Sequence, residues 1–444
     1  MRPIIYVFNT NKSSMKNLFS VVIFFAVTGI IYSQNPSPAK EQDKPIVVTN
    51  ATIHVGNGQV ITNGAVAFNK GKIVAVGDAA KLGIDVAGYD KIDAQGKDVY
   101  PGFIALNTIL GLSEIEAARA TNDYAEVGNL NPDVRAIIAY NTDSKVPATV
   151  RSNGVLLAQI VPQGGLISGQ SSVVELDGWN WEDAAYKMDE GIHLNWPGMN
   201  INRFSATESD DVQREHIQKG LYNLNDLFKN AKAYSQIKNP AEKNLKMESM
   251  KGLFDGSKKL YVHAYYVKEI TAAVNFCKEY GVQMVLVGGN DAWRITDLLK
   301  GQNIPVVLGR THSLPIRDDE DVDMPYKLPN LLQQAGINYC ISIDGFWQVR
   351  NISFNAGTAV AYGLTKEQAL MAITSNAAKI LGIDKTVGTI EVGKDATLII
   401  SDGDALDMKS NNITQAFVRG KNINLDNIQK QLYKKYMEKY GLKE

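Results

Sequence analysis

Cysteine and histidine, the residues that most often build disulfides and zinc sites, are scarce in this chain of 444 residues, which has two cysteines and five histidines. Cys277 and Cys340 lie in helical or apolar stretches, so we expect buried free thiols and neither a disulfide framework nor a cysteine-based zinc site. The chain also lacks an excess of charge, because 46 basic residues face 47 acidic ones. Without a basic excess, no nucleic-acid partner is predicted.

The length allows one large barrel domain with an appendage, or about two to three ordinary domains. Residues 1–33 are predicted to be an export signal, because basic residues precede an apolar run at 18–31 that is too short for a comfortable membrane span. An uncleaved membrane anchor is the alternative, and the start is either Met1 or Met15. We expect a mature protein that begins near Gln34, has no stable membrane span, and is periplasmic or secreted.

The rest of the chain divides into a linker at 34–44, two β-rich segments at 45–99 and 386–423, a middle segment at 100–385, and a C-terminal helix within 424–444. In the middle segment, short apolar runs alternate with helical patterns, which is typical of a parallel sheet. These runs lie at 154–161, 172–176, 191–195, 260–264, 282–287, 304–308 and 339–343. The prediction is an α/β fold with a closed (β/α)8 TIM-like barrel and a small β-sandwich built from both chain ends.

An open doubly wound sheet is the structural alternative, although no G-x-G-x-x-G follows an early strand. The last long helix of the middle segment is predicted to open with a capping box at Thr365 and Gln368 and to end at Gly382. In the C-terminal helix, Leu432, Tyr436 and Tyr440 recur at helical spacing and are expected to cover apolar surface.

Two stretches carry a family resemblance. Residues 99–104 read V-Y-P-G-F-I, and residues 375–398 read S-N-A-A-K-I-L-G-I-D-K-T-V-G-T-I-E-V-G-K-D-A-T-L. They resemble the opening and the C-terminal pattern of the amidohydrolase superfamily, with the imidazolonepropionase-like branch the most similar. The resemblance covers nearly the whole mature chain and implies the barrel fold, but it does not specify a substrate.

In that family, the first barrel strand carries the signature D-x-H-x-H, which supplies two metal-binding histidines. Here the corresponding positions are Ala105, Asn107 and Ile109. An isoleucine cannot bind a metal ion, and the oxygen of an asparagine amide is a much poorer zinc ligand than a neutral imidazole.

The later strand ends keep part of the family pattern. By this resemblance, His263 matches the strand-five histidine, Asn290 stands where a strand-six histidine is expected, and Asp344 matches the strand-eight carboxylate. The implied metal-site candidates are therefore His263, Asp344, Asn107 and Asn290, a degraded site for zinc or another divalent ion. Asp344 is also the candidate catalytic base that would accept a proton from attacking water.

His263 and Asp344 also have structural interpretations. His263 is equally explained as a hydrogen-bonded histidine inside the barrel, and Asp344 as the partner of Arg350 or as a helix cap. No lysine suits a bridging role on strand four, where His193 is the available imidazole. The candidate substrate-binding residues are His312, Arg310 and His193.

Two functional classes remain open. The first is an exported amidohydrolase that hydrolyses a carbon–nitrogen bond other than a peptide bond, with metal-activated water where a metal is bound. The second is a catalytically inactive relative that keeps the barrel to bind a ligand or a partner. Both imply a small-molecule substrate or ligand, and both are compatible with a homo-oligomer. Nothing in the sequence supports a third class, in which a partner chain completes the site.

Overall fold

The computed structural model describes residues 37–201 and 207–442. The predicted export signal and Gln34 lie outside these described residues. Within them, the strands form two sheets of eight strands each. One sheet is built from both ends of the chain and the other from its middle.

The strands follow in chain order as β1 (Ile46–His54), β2 (Val60–Asn69), β3 (Lys72–Asp78), β4 (Asp90–Asp93), β5 (Asp98–Pro101), β6 (Phe103–Thr108), β7 (Val155–Ile160), β8 (Ile167–Glu175), β9 (Ala185–Asn195), β10 (Lys259–Ala264), β11 (Met284–Gly288), β12 (Val306–Leu308), β13 (Tyr339–Ile341), β14 (Leu398–Ser401), β15 (Ile413–Val418) and β16 (Lys421–Asn422).

The described α-helices are α1 (Lys145–Arg151), α2 (Trp181–Ala184), α3 (Asp210–Ser235), α4 (Leu245–Asp255), α5 (Val267–Tyr280), α6 (Thr296–Gly301), α7 (Met324–Ala335), α8 (Ile352–Ala361), α9 (Lys366–Met371), α10 (Ser375–Leu381) and α11 (Ile428–Tyr440).

The two chain ends meet in the terminal sheet, whose strand order is β16-β15-β14-β5-β1-β2-β3, with β4 also paired to β1. The antiparallel pair of β5 and β14 joins the N-terminal strands to the C-terminal ones. Phe68 on β2 and Phe417 on β15 are not neighbours in this order, yet their ring centroids lie 5.1 Å apart. The sheet therefore curls over one apolar core, and the predicted composite β unit is confirmed.

The second sheet runs in the order β13-β12-β11-β10-β9-β8-β7-β6, which is also the reverse order of the chain. All its neighbouring pairs are parallel except β7–β8 and β8–β9. Strands β6, β7 and β10–β13 are mostly apolar and buried, as expected for a sheet that is covered on both faces, whereas β8 and β9 also bury polar side chains such as Ser171 and Glu190. This nearly closed barrel confirms the predicted fold and excludes the open doubly wound alternative.

The third barrel strand, β8, runs against the other seven, which the sequence did not indicate. The connections on either side of it, at residues 161–166 and 176–184, are shorter than the crossover of about a dozen residues that parallel strands need. A meander of antiparallel strands is the arrangement that such short connections permit.

An interruption in the last helical segment bridges the gap between β13 and β6, the two edge strands of the barrel. The predicted capping box is present, because Thr365 and Gln368 each accept a hydrogen bond from the other's backbone N–H. The predicted single helix is wrong, however, since the segment divides into α9 and α10. The residues between these helices supply two carbonyl groups: Ile341 N–H on β13 donates to Ala372 O, and Ile104 N–H on β6 donates to Ile373 O.

Cys277 and Cys340 are buried and free, as predicted. Among the helices in the described part of the chain, none is both long and apolar enough to cross a membrane. The C-terminal helix forms over the expected residues, but no side chain in it is fully buried, and Tyr440 is 63% exposed. The expectation that this helix covers apolar surface is therefore wrong.

Candidate functional site

A cavity of about 510 Å³ opens where the strands of the barrel end. Asn107 lies near the end of β6, His263 near the end of β10, Asn290 two residues after β11, and Asp344 three residues after β13. All four side chains line this one cavity. The carboxyl ends of parallel barrel strands meet at one face, which explains why residues so distant in sequence come together.

The position of Asn107 depends on a bulge in β6. Ala105 pairs with Ala158 and Thr108 pairs with Ile160, so β6 has one more residue than β7 between these two pairs. Asn107 takes up the extra residue with a φ of 51°, in the left-handed region that asparagine tolerates better than most residues. Its N–H is thereby removed from the strand ladder, and it donates instead to Oε1 of Gln159 at 3.0 Å.

His263 is bonded to a second imidazole below the cavity. Its Nε2 lies 2.9 Å from Nδ1 of His193, and the His193 ring stacks on Tyr261 with 4.7 Å between centroids. Burial lowers the pKa of His263 to about 4. Burial and the neighbouring His263 hold the pKa of His193 well below its usual range. Both rings are therefore neutral at neutral pH.

A buried carboxylate connects these two parts of the site. Oε1 of Glu190 accepts hydrogen bonds from Nε2 of Gln159 and Oγ of Ser171, both at 2.6 Å. Oε2 of the same residue accepts from the Tyr261 hydroxyl at 2.8 Å. Glu190 is thus hydrogen-bonded to Gln159, which in turn is hydrogen-bonded to Asn107. Glu190 is also hydrogen-bonded to Tyr261, on whose ring His193 stacks. Nothing in the local sequence marks Glu190 beyond an acidic residue that precedes a short apolar run.

Asn290 is followed by an anchored carboxylate. Asp291 is buried, and its Oδ2 accepts a hydrogen bond from Val267 N–H at 3.1 Å. Its Oδ1 accepts a hydrogen bond from Nη1 of the Arg317 guanidinium at 2.5 Å. Arg317 belongs to the loop between β12 and α7, which also contributes Arg310 to the cavity wall. The ion pair therefore fixes that loop to the end of β11, beside Asn290.

Asp344 has an exposed carboxylate with no ion-pair partner among the described residues. The alternative interpretation, a pair with Arg350, does not hold, because the Arg350 guanidinium donates to the carbonyl of Trp347. Its position on the cavity wall leaves the carboxylate available to a bound molecule.

The three candidate substrate-binding residues occupy different places. Arg310 lines the cavity, and no carboxylate in the described part of the chain pairs with it. His193 is completely buried beneath His263 and does not reach the cavity wall. His312 is exposed outside the cavity, where its Nε2 lies 2.6 Å from Oγ1 of Thr358. The structure thus brings one of these three to the cavity.

The donors around the cavity do not fit a zinc centre. Catalytic zinc takes about three protein ligands, usually imidazoles, thiolates or carboxylates. The four candidate positions supply one imidazole, one carboxylate and two amides. In residues 37–201 and 207–442, no three or more His, Cys, Asp or Glu side chains are placed to hold one metal ion together. The His263 nitrogen at Nε2 is also already engaged by His193.

Comparisons with known proteins agree with this architecture. The model of the Amidohydrolase family matches residues 220–423. An imidazolonepropionase of Rhizobium rhizogenes is 23% identical over 391 residues, which cover 79% of this chain and 90% of that protein.

Two solved structures extend the comparison. The crystal structure of an amidohydrolase from Thermotoga maritima MSB8 superimposes with a TM-score of 0.76 at 25% sequence identity, covering 85% of this chain and 99% of that one. An adenosine deaminase from Xanthomonas campestris, crystallised with bound zinc, gives a TM-score of 0.50 at 16% identity, covering 91% of this chain and 98% of that one. The second of these likenesses concerns the fold alone.

Proposed function

The chain belongs to the amidohydrolase superfamily, in its imidazolonepropionase-like branch, and from that premise we propose that it hydrolyses a carbon–nitrogen bond, other than a peptide bond, in a small polar molecule bound in the barrel cavity. The observation that carries this proposal is the position of Asn107, His263, Asn290 and Asp344 on one cavity wall. Because the donor set does not fit zinc, the scheme assigns no step to a metal ion.

In this scheme, the Asp344 carboxylate accepts a proton from water as the water oxygen attacks the substrate carbon. The carbon–nitrogen bond then breaks, and the leaving nitrogen takes that proton back from Asp344. The side-chain N–H groups of Asn107 and Asn290 are suited to donate to the oxygen on which negative charge develops. The cavity, of about 510 Å³, has the size of a small-molecule site.

A second candidate is binding without turnover. The specific observation in its favour is the poor donor set, since the positions that correspond to the family's metal-binding histidines hold Asn107, Ile109 and Asn290. In this case the same cavity would retain a ligand, and Asp344 would contribute only to its recognition.

The two candidates are separated by comparing the wild-type protein with Asp344→Asn, which keeps the shape of the side chain and removes its charge. The compounds to test are imidazolonepropionate, which the name of the Rhizobium rhizogenes relative indicates, together with simple cyclic amides. Loss of a general base lowers the rate by about 10²–10⁴-fold. Asp402→Asn is the matched control, because Asp402 is exposed and lies outside the cavity.

If the hydrolase proposal holds, Asp344→Asn should lose turnover of at least one compound and Asp402→Asn should keep it. If these compounds raise the melting temperature of the wild-type protein but none is hydrolysed, the binding candidate is favoured instead. Hydrolysis that is equal in all three proteins would contradict the role of Asp344.

We further propose that the mature protein is exported to the periplasm or secreted. The support is the apolar run at residues 18–31 and its basic flank. N-terminal sequencing of natively produced protein should begin at or near Gln34. Recovery of residues before position 18 would contradict this proposal.

A further inference from the structure

We propose that His193 is a positioning residue that fixes His263 as the tautomer with hydrogen on Nδ1. His263 then donates a hydrogen bond to an oxygen acceptor of the bound molecule instead of binding a metal ion. This inference has two halves. The first half, the tautomer of His263, concerns the protein alone. The second half, the contact with the bound molecule, rests on the proposed function.

The contacts around His193 leave its ring little freedom. The ring is fully buried and lies nearly parallel to Tyr261, with an interplanar angle of 4°. Tyr261 is itself held through its hydroxyl by Glu190. A Cβ at Gly191 would lie 2.3 Å from the Tyr261 ring, so glycine at this position is what allows the ring to lie there. His193 consequently presents its Nδ1 to Nε2 of His263 at 2.9 Å.

The hydrogen bond between two neutral imidazoles needs one N–H and one bare nitrogen. If His263 donated, His193 would carry its hydrogen on Nε2, which is buried and has no partner among the described residues. If His193 donates, its Nε2 is a bare acceptor. A buried N–H without a partner is rarer than a buried acceptor without one. His193 is therefore assigned as the donor and Nε2 of His263 as the acceptor.

The hydrogen of neutral His263 then lies on Nδ1. Since His263 lines the cavity and its Nε2 is engaged below, Nδ1 is the nitrogen that remains for a bound molecule. A nitrogen that carries hydrogen cannot bind a metal, but it can donate to a carbonyl or carboxylate oxygen. With this assignment, His263 can contact a bound molecule even though the other histidines of the family's metal site are missing.

The tautomer is measured directly by long-range ¹H–¹⁵N correlation spectra of mature protein labelled with ¹⁵N-histidine. At neutral pH we expect a protonated Nδ1 and a bare Nε2 for His263, and the same pattern for His193. The His263→Gln variant assigns the His263 signals, and His312→Gln serves as the matched control, because His312 is exposed and lies outside the cavity. A protonated Nε2 on His263 would overturn the inference.

His193→Phe keeps an aromatic ring to stack on Tyr261 and removes the N–H donor. In this variant, the His263 Nε2 signal should move toward the protonated position. An unchanged His263 signal would show that His193 does not fix the tautomer. The wild-type spectrum decides the tautomer by itself, so the inference stays testable even if this variant does not fold.

The second half is tested with acetamide, a probe that offers one carbonyl oxygen. Rising acetamide should shift the His263 Nδ1 resonance and leave the His312 resonances in place. A His263 resonance that does not respond would overturn the contact with the bound molecule. None of these spectra requires turnover, so failure of the hydrolase proposal in the Asp344→Asn comparison is distinguishable from failure of this inference.

Discussion

Replacing His54 with Phe should remove a stabilising contact between the terminal sheet and the barrel, and the loss should depend on pH. His54 ends β1, and its Nδ1 lies 2.7 Å from Oε1 of Glu367 on α9. Its Nε2 lies 3.6 Å from Oδ1 of Asp98 on β5. Phe keeps a ring to stack on Tyr100, whose centroid lies 4.4 Å from that of His54, but it can form neither polar contact.

The magnitude follows from the pKa of His54. Burial acts to lower it, but the hydrogen bonds and charges of Asp98 and Glu367 outweigh burial and raise the pKa from 6.5 to about 9. One pKa unit corresponds to about 1.4 kcal/mol, so the charged form contributes about 3 kcal/mol to the free energy of unfolding. Because the folded-state pKa is raised, this contribution is fully present below about pH 6.5 and is lost as the pH rises through about 9.

The assay is urea unfolding of wild type and His54→Phe at about pH 6 and about pH 10. The difference in unfolding free energy between the two proteins should be larger at the lower pH by about 2–3 kcal/mol. His216→Phe is the matched control, because His216 is exposed and exposed ion pairs contribute about 0–1 kcal/mol. Adding Glu367→Gln to His54→Phe should recover stability, since Oε2 of Glu367 is buried and has no hydrogen-bond partner among the described residues.

A difference between wild type and His54→Phe that stays constant from about pH 6 to about pH 10 would refute this reasoning. So would an NMR titration of His54 with a midpoint near 6.5, the value of an imidazole without a charged partner. Either result would mean that the contact with α9 does not hold the charged form.

Two further predictions concern stability. Arg151→Met should lower the unfolding free energy by about 3–5 kcal/mol, because it leaves Asp177 buried without the guanidinium that contacts it at 2.9 Å. A loss below about 1 kcal/mol, measured by urea unfolding, would contradict this prediction. Gly357→Ala should cost about 1–3 kcal/mol, because the new Cβ would lie 2.1 Å from the backbone oxygen of Leu406. Its matched control, Gly220→Ala, has no atom closer than 3.5 Å and should gain about 0.5–1 kcal/mol, so equal melting temperatures for the two variants would contradict the close packing of Gly357 against Leu406.

Positions at strand ends could be predicted from the sequence, because apolar runs mark the strands and barrel geometry then brings their ends together. The family resemblance selects Asn107, His263, Asn290 and Asp344 as residues that follow barrel strands, barrel geometry then predicts that they meet, and all four line the cavity. The reversed strand β8 was not foreseen, because period and composition do not reveal strand direction.

Contacts between distant residues could not be predicted in this way. His54 lies among alternating apolar residues, a pattern that predicts a packed sheet residue, but its partner Glu367 lies 313 positions away. Glu190 gives no local signal for a similar reason, since its donors come from three other positions on β7, β8 and β10. The C-terminal helix shows a further limit: helical spacing predicts the helix, but not that Tyr440 remains exposed.

The central claim is that this cavity serves a hydrolase without the zinc centre that the family pattern implies. Elemental analysis of zinc in purified mature protein tests it most directly. The variant Asn107→His, Ile109→His, Asn290→His, which restores three imidazoles, serves as the positive control and should bind zinc more tightly. We predict substoichiometric zinc in the wild-type protein. Two zinc ions per chain would contradict the account and assign the chemistry to metal-activated water.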